Sequence, residues 1–333
     1  MTIKKTLTSL ITATFLLVSA ISAEPPRGEK SSGSTKGRLA RSIDPEGPSS
    51  TFFNINSWKI QMENQGFFAW NGTSHGSAGN YPIGMGSVIF AEGILWGARV
   101  SDEYGVDTTG ALLTDGTGGG TPKIRVNGSM YNTGLKAGKV LRDASGRILS
   151  SNYSEDYRDQ QVWRVRKNWN TADLTNDIAI IKNIEPSEVT PAMVTSGAAQ
   201  YEADWTNWPA HEGAPFDDVD GDGVYTPGTW DAATSKWVGD VPGIPGADQT
   251  VWTVANDLPD EYTESGIPVS VSEGGWGSPP IGIELQITLW GYDFPFSNPI
   301  SSMMFKRARV NYVGLPGGPA DAKLDTVYFT QWS

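Results

Sequence analysis

The sequence predicts a mainly β fold, antiparallel and sandwich-like, with one short helical segment and an aspartate-rich calcium loop. Three observations carry that expectation. Gly (39 residues) and Pro (21) break the chain into short pieces, and 13 tryptophans with only 19% charged residues suit a turn-rich β architecture better than a helical one. Between the breaks, apolar and polar residues alternate with the period of two that places neighbours on opposite faces of a strand. Asp218, Asp220 and Asp222 then stand at alternate positions before Gly223, a ligand spacing for a hard cation.

Residues 1–23 read as a secretory signal. Lys4 and Lys5 precede an apolar stretch from Leu7 to Ile21, and the small residues Ala20, Ser22 and Ala23 follow. A membrane anchor is the competing reading, but Thr8, Ser9, Thr12, Thr14 and Ser19 interrupt a stretch already shorter than the roughly 20 apolar residues that span a bilayer. A cleaved signal implies a secreted or outer-surface protein with no membrane span in the mature chain. Residues 24–50 are rich in Pro, Gly, Ser and charge and read as a flexible leader.

An N-terminal β region is expected over residues 51–170. The run 54–66 reads as an imperfect strand, and 87–100 and 122–134 as clearer ones, each with an internal Gly where a turn or bulge fits. In 161–169, Val162, Arg164 and Arg166 alternate with Trp163, Val165 and Lys167, which predicts a strand with one polar face. The region 171–333 should hold the helix, the calcium loop and the sandwich. Apolar spacing through Met193, Ala198, Tyr201 and Trp205 predicts a helix ending before Pro209, capped by Ser187 or starting at Pro191. Strands follow at 249–257, 281–294 and 303–314, where Ile281, Ile283, Leu285, Ile287 and Leu289 share one face and Glu284, Gln286 and Thr288 the other. The last run, 325–333, is strand-like and ends without a polar tail, which reads as a truncated chain or a fragment of a longer one.

Calcium favours six to eight oxygen ligands, and a glycine allows the sharp turn that wraps a loop around it. Asp218, Asp220 and Asp222 would ligate through carboxylates and Val224 through its backbone carbonyl. Thr226 falls at the ninth position of an EF-hand-like loop, but Thr229 stands where that loop carries a bidentate Glu at its twelfth. Asp231, Asp240 and Asp248 are the acids that follow, with Asp231 the first candidate to close the shell. No long amphipathic helix follows the loop, so an isolated calcium staple is expected rather than a paired sensor. The rival account is an acidic surface turn without an ion.

Other chemistry is thinly signalled. Cysteine is absent, which excludes a disulfide framework. His75 and His211 are the only histidines and have no zinc-type companions. No GxSxG elbow occurs, and the glycines of 116–120 do not lie between a strand and a helix. The net charge of −12 becomes −14 once Lys4 and Lys5 are removed, which disfavours nucleic acid as a partner. Glu92, Glu273, Glu284 and Asp293 are the acids a glycoside hydrolase pair could draw on. The tryptophans could stack on sugars, although core packing is their commoner fate.

Several short runs together carry a resemblance: YPIG at 81–84, GILWG at 93–97, NGSMY at 127–131 with Gly134 and Gly138, and DWTNWP at 204–209 followed by GAP at 213–215 and the aspartate loop. Across residues 52–333 the chain resembles a group of large exported proteins of Gram-negative bacteria that carry a C-terminal type IX secretion sorting domain. The resemblance implies a surface or secreted location and a longer parent with further β domains, and supplies no catalytic residues. The sorting domain itself is missing, and TWDAATSKWVGD at 229–240 reads as an insertion. The functional expectation is a calcium-stabilised structural or adhesive protein, with a polysaccharide or a cell-surface protein as partner. A carbohydrate-binding module and a glycoside hydrolase are the rivals.

Overall fold

The computed structural model describes residues 49–71, 76–100, 123–129, 135–142, 160–258, 281–314 and 324–333. The expected signal and nearly all of the expected leader lie outside these residues, as does Glu273. The chain is mainly β. In order, the elements are β1 (Ser50–Phe53), β2 (Lys59–Glu63), β3 (Trp70–Asn71), β4 (Gly76–Ser77), β5 (Gly79–Asn80), β6 (Ser87–Ile89), β7 (Gly93–Val100), β8 (Lys123–Gly128), β9 (Lys136–Ala137) and β10 (Trp163–Arg166). Two helices follow, α1 (Thr175–Lys182) and α2 (Pro191–Thr206). Then come β11 (Phe216–Asp217), β12 (Thr229–Asp231), β13 (Lys236–Val238), β14 (Val241–Pro242), β15 (Gln249–Asn256), β16 (Ile283–Gly291), β17 (Phe305–Tyr312) and β18 (Asp325–Trp332).

The central sheet runs β10, β15, β16, β17, with β9 sharing the β10 edge of β15. A second sheet runs β1, β2, β5, β6, and a third runs β18, β7, β8. All ladders between these strands are antiparallel. The main core joins the three sheets: Ile283, Leu285, Ile287 and Leu289 of β16 cluster with Phe53, Ile60, Met62 and Phe68, and with Ile94 and Trp96 of β7. Lys306 of β17 reaches into this side as well, where it forms an ion pair with the buried Glu92. Residues from both sides of position 170 build this core, and β10 pairs with β15 just as β7 pairs with β18.

Both faces of the central sheet are covered. Glu284, Gln286 and Thr288, which alternation places opposite the apolar row, are also buried, at 4%, 6% and 3% exposure. Gln286 Nε2 donates to the Glu212 carbonyl (3.0 Å) and to Glu284 Oε1 (3.1 Å), so the polar row is held by partners rather than by water. Next to it, Trp163, Val165, Trp252 and Val254 cluster with Trp208 and Ala214 from the segment that leaves α2.

The helical segment differs from expectation. Among the described residues there are two α-helices, and α2 is capped by Thr190, whose Oγ1 accepts from the Met193 amide at 3.3 Å, with Pro191 at the first helical position. Ser187 lies instead in a 3-10 turn, Pro186–Glu188. The unexpected helix α1 packs on α2 through Leu174, Ile178 and Tyr201. Gly197 lets the two approach, since a Cβ there would lie 2.0 Å from Ile178 Cδ1.

Of the polar residues in 161–169, Arg164 is likewise buried, whereas Arg166 is half-buried and Lys167 exposed. Arg164 forms an ion pair with Asp177 of α1 and donates to Asn54 Oδ1 at 2.6 Å. Asp177 also accepts from Tyr201 Oη (3.0 Å) and Asn54 Nδ2 (2.8 Å). Burial alone would raise the Asp177 carboxyl, but the Arg164 guanidinium and these hydrogen bonds hold it below the ordinary range. Asp204 of α2 accepts from the Arg164 amide (3.0 Å), Gln200 (2.9 Å) and Gln161 (3.3 Å), yet burial dominates and pushes it up to about 7. This network fixes α2 to the sheet edge, and the end of α2 carries the aspartate loop.

Candidate metal site

The loop leaves β11 at Asp217, and the chain returns through Asp240 into β14, which pairs with β11. Within it, carboxylate oxygens of Asp218, Asp220 and Asp222 all lie within 4.8 Å of one another. Asp218 is half-buried and the other two are exposed. Amides of the loop fold it around these side chains. Gly221 and Gly223 donate to Asp218 Oδ1 and Oδ2 (2.8 and 2.9 Å), and Val224 donates to Asp222 Oδ1 (2.7 Å). Asp222 donates to Asp220 Oδ1 at 3.2 Å. Gly221 and Gly223 have φ of 75° and 76°, the left-handed values that admit glycine without strain. A carboxylate oxygen that accepts one amide keeps a second lone pair, so this donor set fits a hard cation.

Asp240 controls the loop from below. It is 2% exposed, and its two oxygens accept from the Val219 amide (3.0 Å) and the Thr226 amide (2.8 Å), so one buried carboxylate clamps both ends of the acidic turn. It therefore supports the loop rather than joining the three carboxylates. Asp231 also lies apart from the cluster. It sits on β12, where it accepts from the Ala233 amide (2.9 Å) and Thr234 Oγ1 (2.7 Å) and closes the β12–β13 turn. Asp248 accepts from the Asp293 amide at 2.8 Å, away from the loop.

The segment read as an insertion is a hairpin in which Trp230 faces Trp237 across the ladder. Trp237 stacks on Trp205 of α2 with ring centroids 4.0 Å apart, lies 6.1 Å from Trp169, and donates through Nε1 to the Lys167 carbonyl at 2.7 Å. Trp205 Nε1 in turn donates to the Gly228 carbonyl (3.2 Å), and Tyr225 Oη donates to the Trp205 carbonyl (2.5 Å). The loop is thus tied to α2 on both strands of its exit. Sequence spacing found the three clustered carboxylates. Asp240, Trp205 and Tyr225 act across a fold that spacing does not reveal.

Of the acids considered for a glycoside hydrolase pair, Glu92 and Glu284 do not converge. Glu92 faces the main core with Lys306, whose ladder partner is Leu289, whereas Glu284 projects from the opposite face of the same sheet. Among the described residues no tryptophan is exposed, and no helix is long and apolar enough to cross a membrane. No family model, curated protein or solved structure matches this chain.

Proposed function

We propose that the Asp218–Asp222 loop binds calcium as a structural staple in a sandwich-like β protein that is exported and serves a structural or adhesive role at the cell surface or outside it. The observation that carries the reading is the convergence of three carboxylates within 4.8 Å on a turn pinned at both ends by Asp240. Three unpaired anions at that separation repel one another, and a divalent cation turns the repulsion into attraction. Asp218, Asp220 and Asp222 supply carboxylate oxygens, Val224 a carbonyl, and water the rest of the shell. That no described tryptophan is exposed, and that Trp96, Trp163, Trp205, Trp208, Trp252 and Trp290 are buried, supports a scaffold over a sugar-stacking surface. Export by a cleaved signal, and kinship with type IX secretion cargo, belong to the same proposal.

The test is thermal unfolding of residues 24–333 with calcium and with EDTA, for the wild type and for the pair Asp220→Ala and Asp222→Ala. An ion bound only to the native state adds about 2.7 kcal/mol at a hundredfold excess over its dissociation constant. A calcium-dependent rise of the midpoint in the wild type, absent from the variant, is expected. An unchanged midpoint in the wild type makes the loop an acidic turn and nothing more.

A further inference from the structure

A cleft of about 490 Å³ lies between α1, the end of β10 and the β1–β2 ribbon, away from the aspartate loop. That volume is in the range that holds a small ligand or a short oligomer. Lys59 and Arg166 line it, both half-buried. Lys59 lies over the Phe52 ring at 4.9 Å, and burial lowers its ammonium from the ordinary value. Arg166 spends Nε on Asn168 Oδ1 (2.6 Å), and its two Nη groups have no protein partner among the described residues.

Asp173 and Asp177 also line the cleft, but neither forms an ion pair with these cations. Asp177 is committed to Arg164, and Asp173 holds the Thr175 amide at 2.9 Å. Two cations half withdrawn from water without a carboxylate partner leave an electrostatic demand that an anionic ligand would meet. Asn176 and Asn183 add exposed side-chain amides, each able to donate to one hydroxyl and accept from another. Ile83, Ile180 and Ile184 complete the wall with aliphatic surface, suited to the C–H face of a sugar ring. Among the described residues no aromatic ring lines the cleft for a nucleobase to stack on.

We propose that this cleft binds a uronic-acid saccharide, with Lys59 and Arg166 receiving its carboxylate and Asn176 and Asn183 its ring hydroxyls. The site shares no residue with the aspartate loop and does not depend on calcium there.

Calorimetric titration of the full chain with tetragalacturonate, tetramannuronate and a hyaluronan tetrasaccharide tests this, with cellotetraose and tetraglutamate as uncharged and peptide controls. At least one uronate should bind, and at least tenfold more tightly than either control. Lys59→Gln with Arg166→Gln should weaken it by about tenfold or more, the change expected from losing charge-assisted hydrogen bonds. Lys59→Arg should retain binding. Asn176→Asp, an exposed change that keeps the fold and adds a like charge, should weaken binding even where the double variant proves unstable. The aspartate-loop variant should bind as the wild type does. No binding by any uronate, equal binding by tetraglutamate, unchanged affinity in Asn176→Asp, or loss in the loop variant would each overturn the assignment.

Discussion

Asp204 and Asp177 sit in one buried network but respond to pH in opposite directions. Asp177 is held below the ordinary carboxylate range, so its contribution is complete at neutral pH and is lost as pH falls through that lowered value. Asp204 is pushed up from 3.8 to about 7, so between those values the unfolded chain ionises at this residue while the native chain keeps its proton. Stability from Asp204 therefore declines as pH rises through this window and levels off above it, a change of a few kcal/mol. Asp204→Asn should flatten that decline. Urea unfolding at pH 5 and pH 8 measures it, and an identical fall in wild type and variant would contradict the assignment.

Among the elements, the aspartate loop depends on a residue outside its ligand spacing. Asp240→Ala removes the acceptor for the Val219 and Thr226 amides without touching Asp218, Asp220 or Asp222. Two amides lose a buried partner, and the carboxylates lose the frame that gathers them. The calcium-dependent shift in unfolding midpoint should shrink to less than half of the wild-type shift, as read by the same calcium and EDTA melts. A full shift would mean that the turn organises itself. The loop was legible because three ligand-type residues fall at alternate positions. The clamp was not, because Asp240 acts through hydrogen bonds across 14 and 21 residues. Asp231 looked like the next ligand by distance along the chain, but the hairpin that carries it turns its carboxylate to Ala233 and Thr234. Helix α1 escaped notice for a related reason: Ile178, Ile180 and Ile181 are β-branched, and the packing with α2 overrides that preference.

At the level of the whole molecule, alternation located β15, β16 and β17 well, because each is long enough for the period to show. It misjudged what lies opposite the apolar row. Glu284, Gln286 and Arg164 look solvent-facing by residue type, and only the tertiary partners that satisfy them reveal that both sides of the sheet are covered. A core that draws Phe53 and Met62 together with Leu285 and Leu289 binds the two halves of the chain into one cooperative unit. Near-UV and far-UV circular dichroism should lose signal in a single coincident urea transition. Two separated transitions would show that residues 51–170 and 171–333 fold independently.

The pairing of β7 with β18 places an early strand beside the last one, and Trp332 Nε1 closes on the Ser129 carbonyl (2.9 Å) across 203 residues of chain. Such a sheet carries its own clock. Until the late strand emerges, β7 has only β8 beside it and one edge open, and closing so long a loop is slow. Under the proposal that the chain is exported, threading from its N-terminus would keep this sheet incomplete while most of the polypeptide is still in transit.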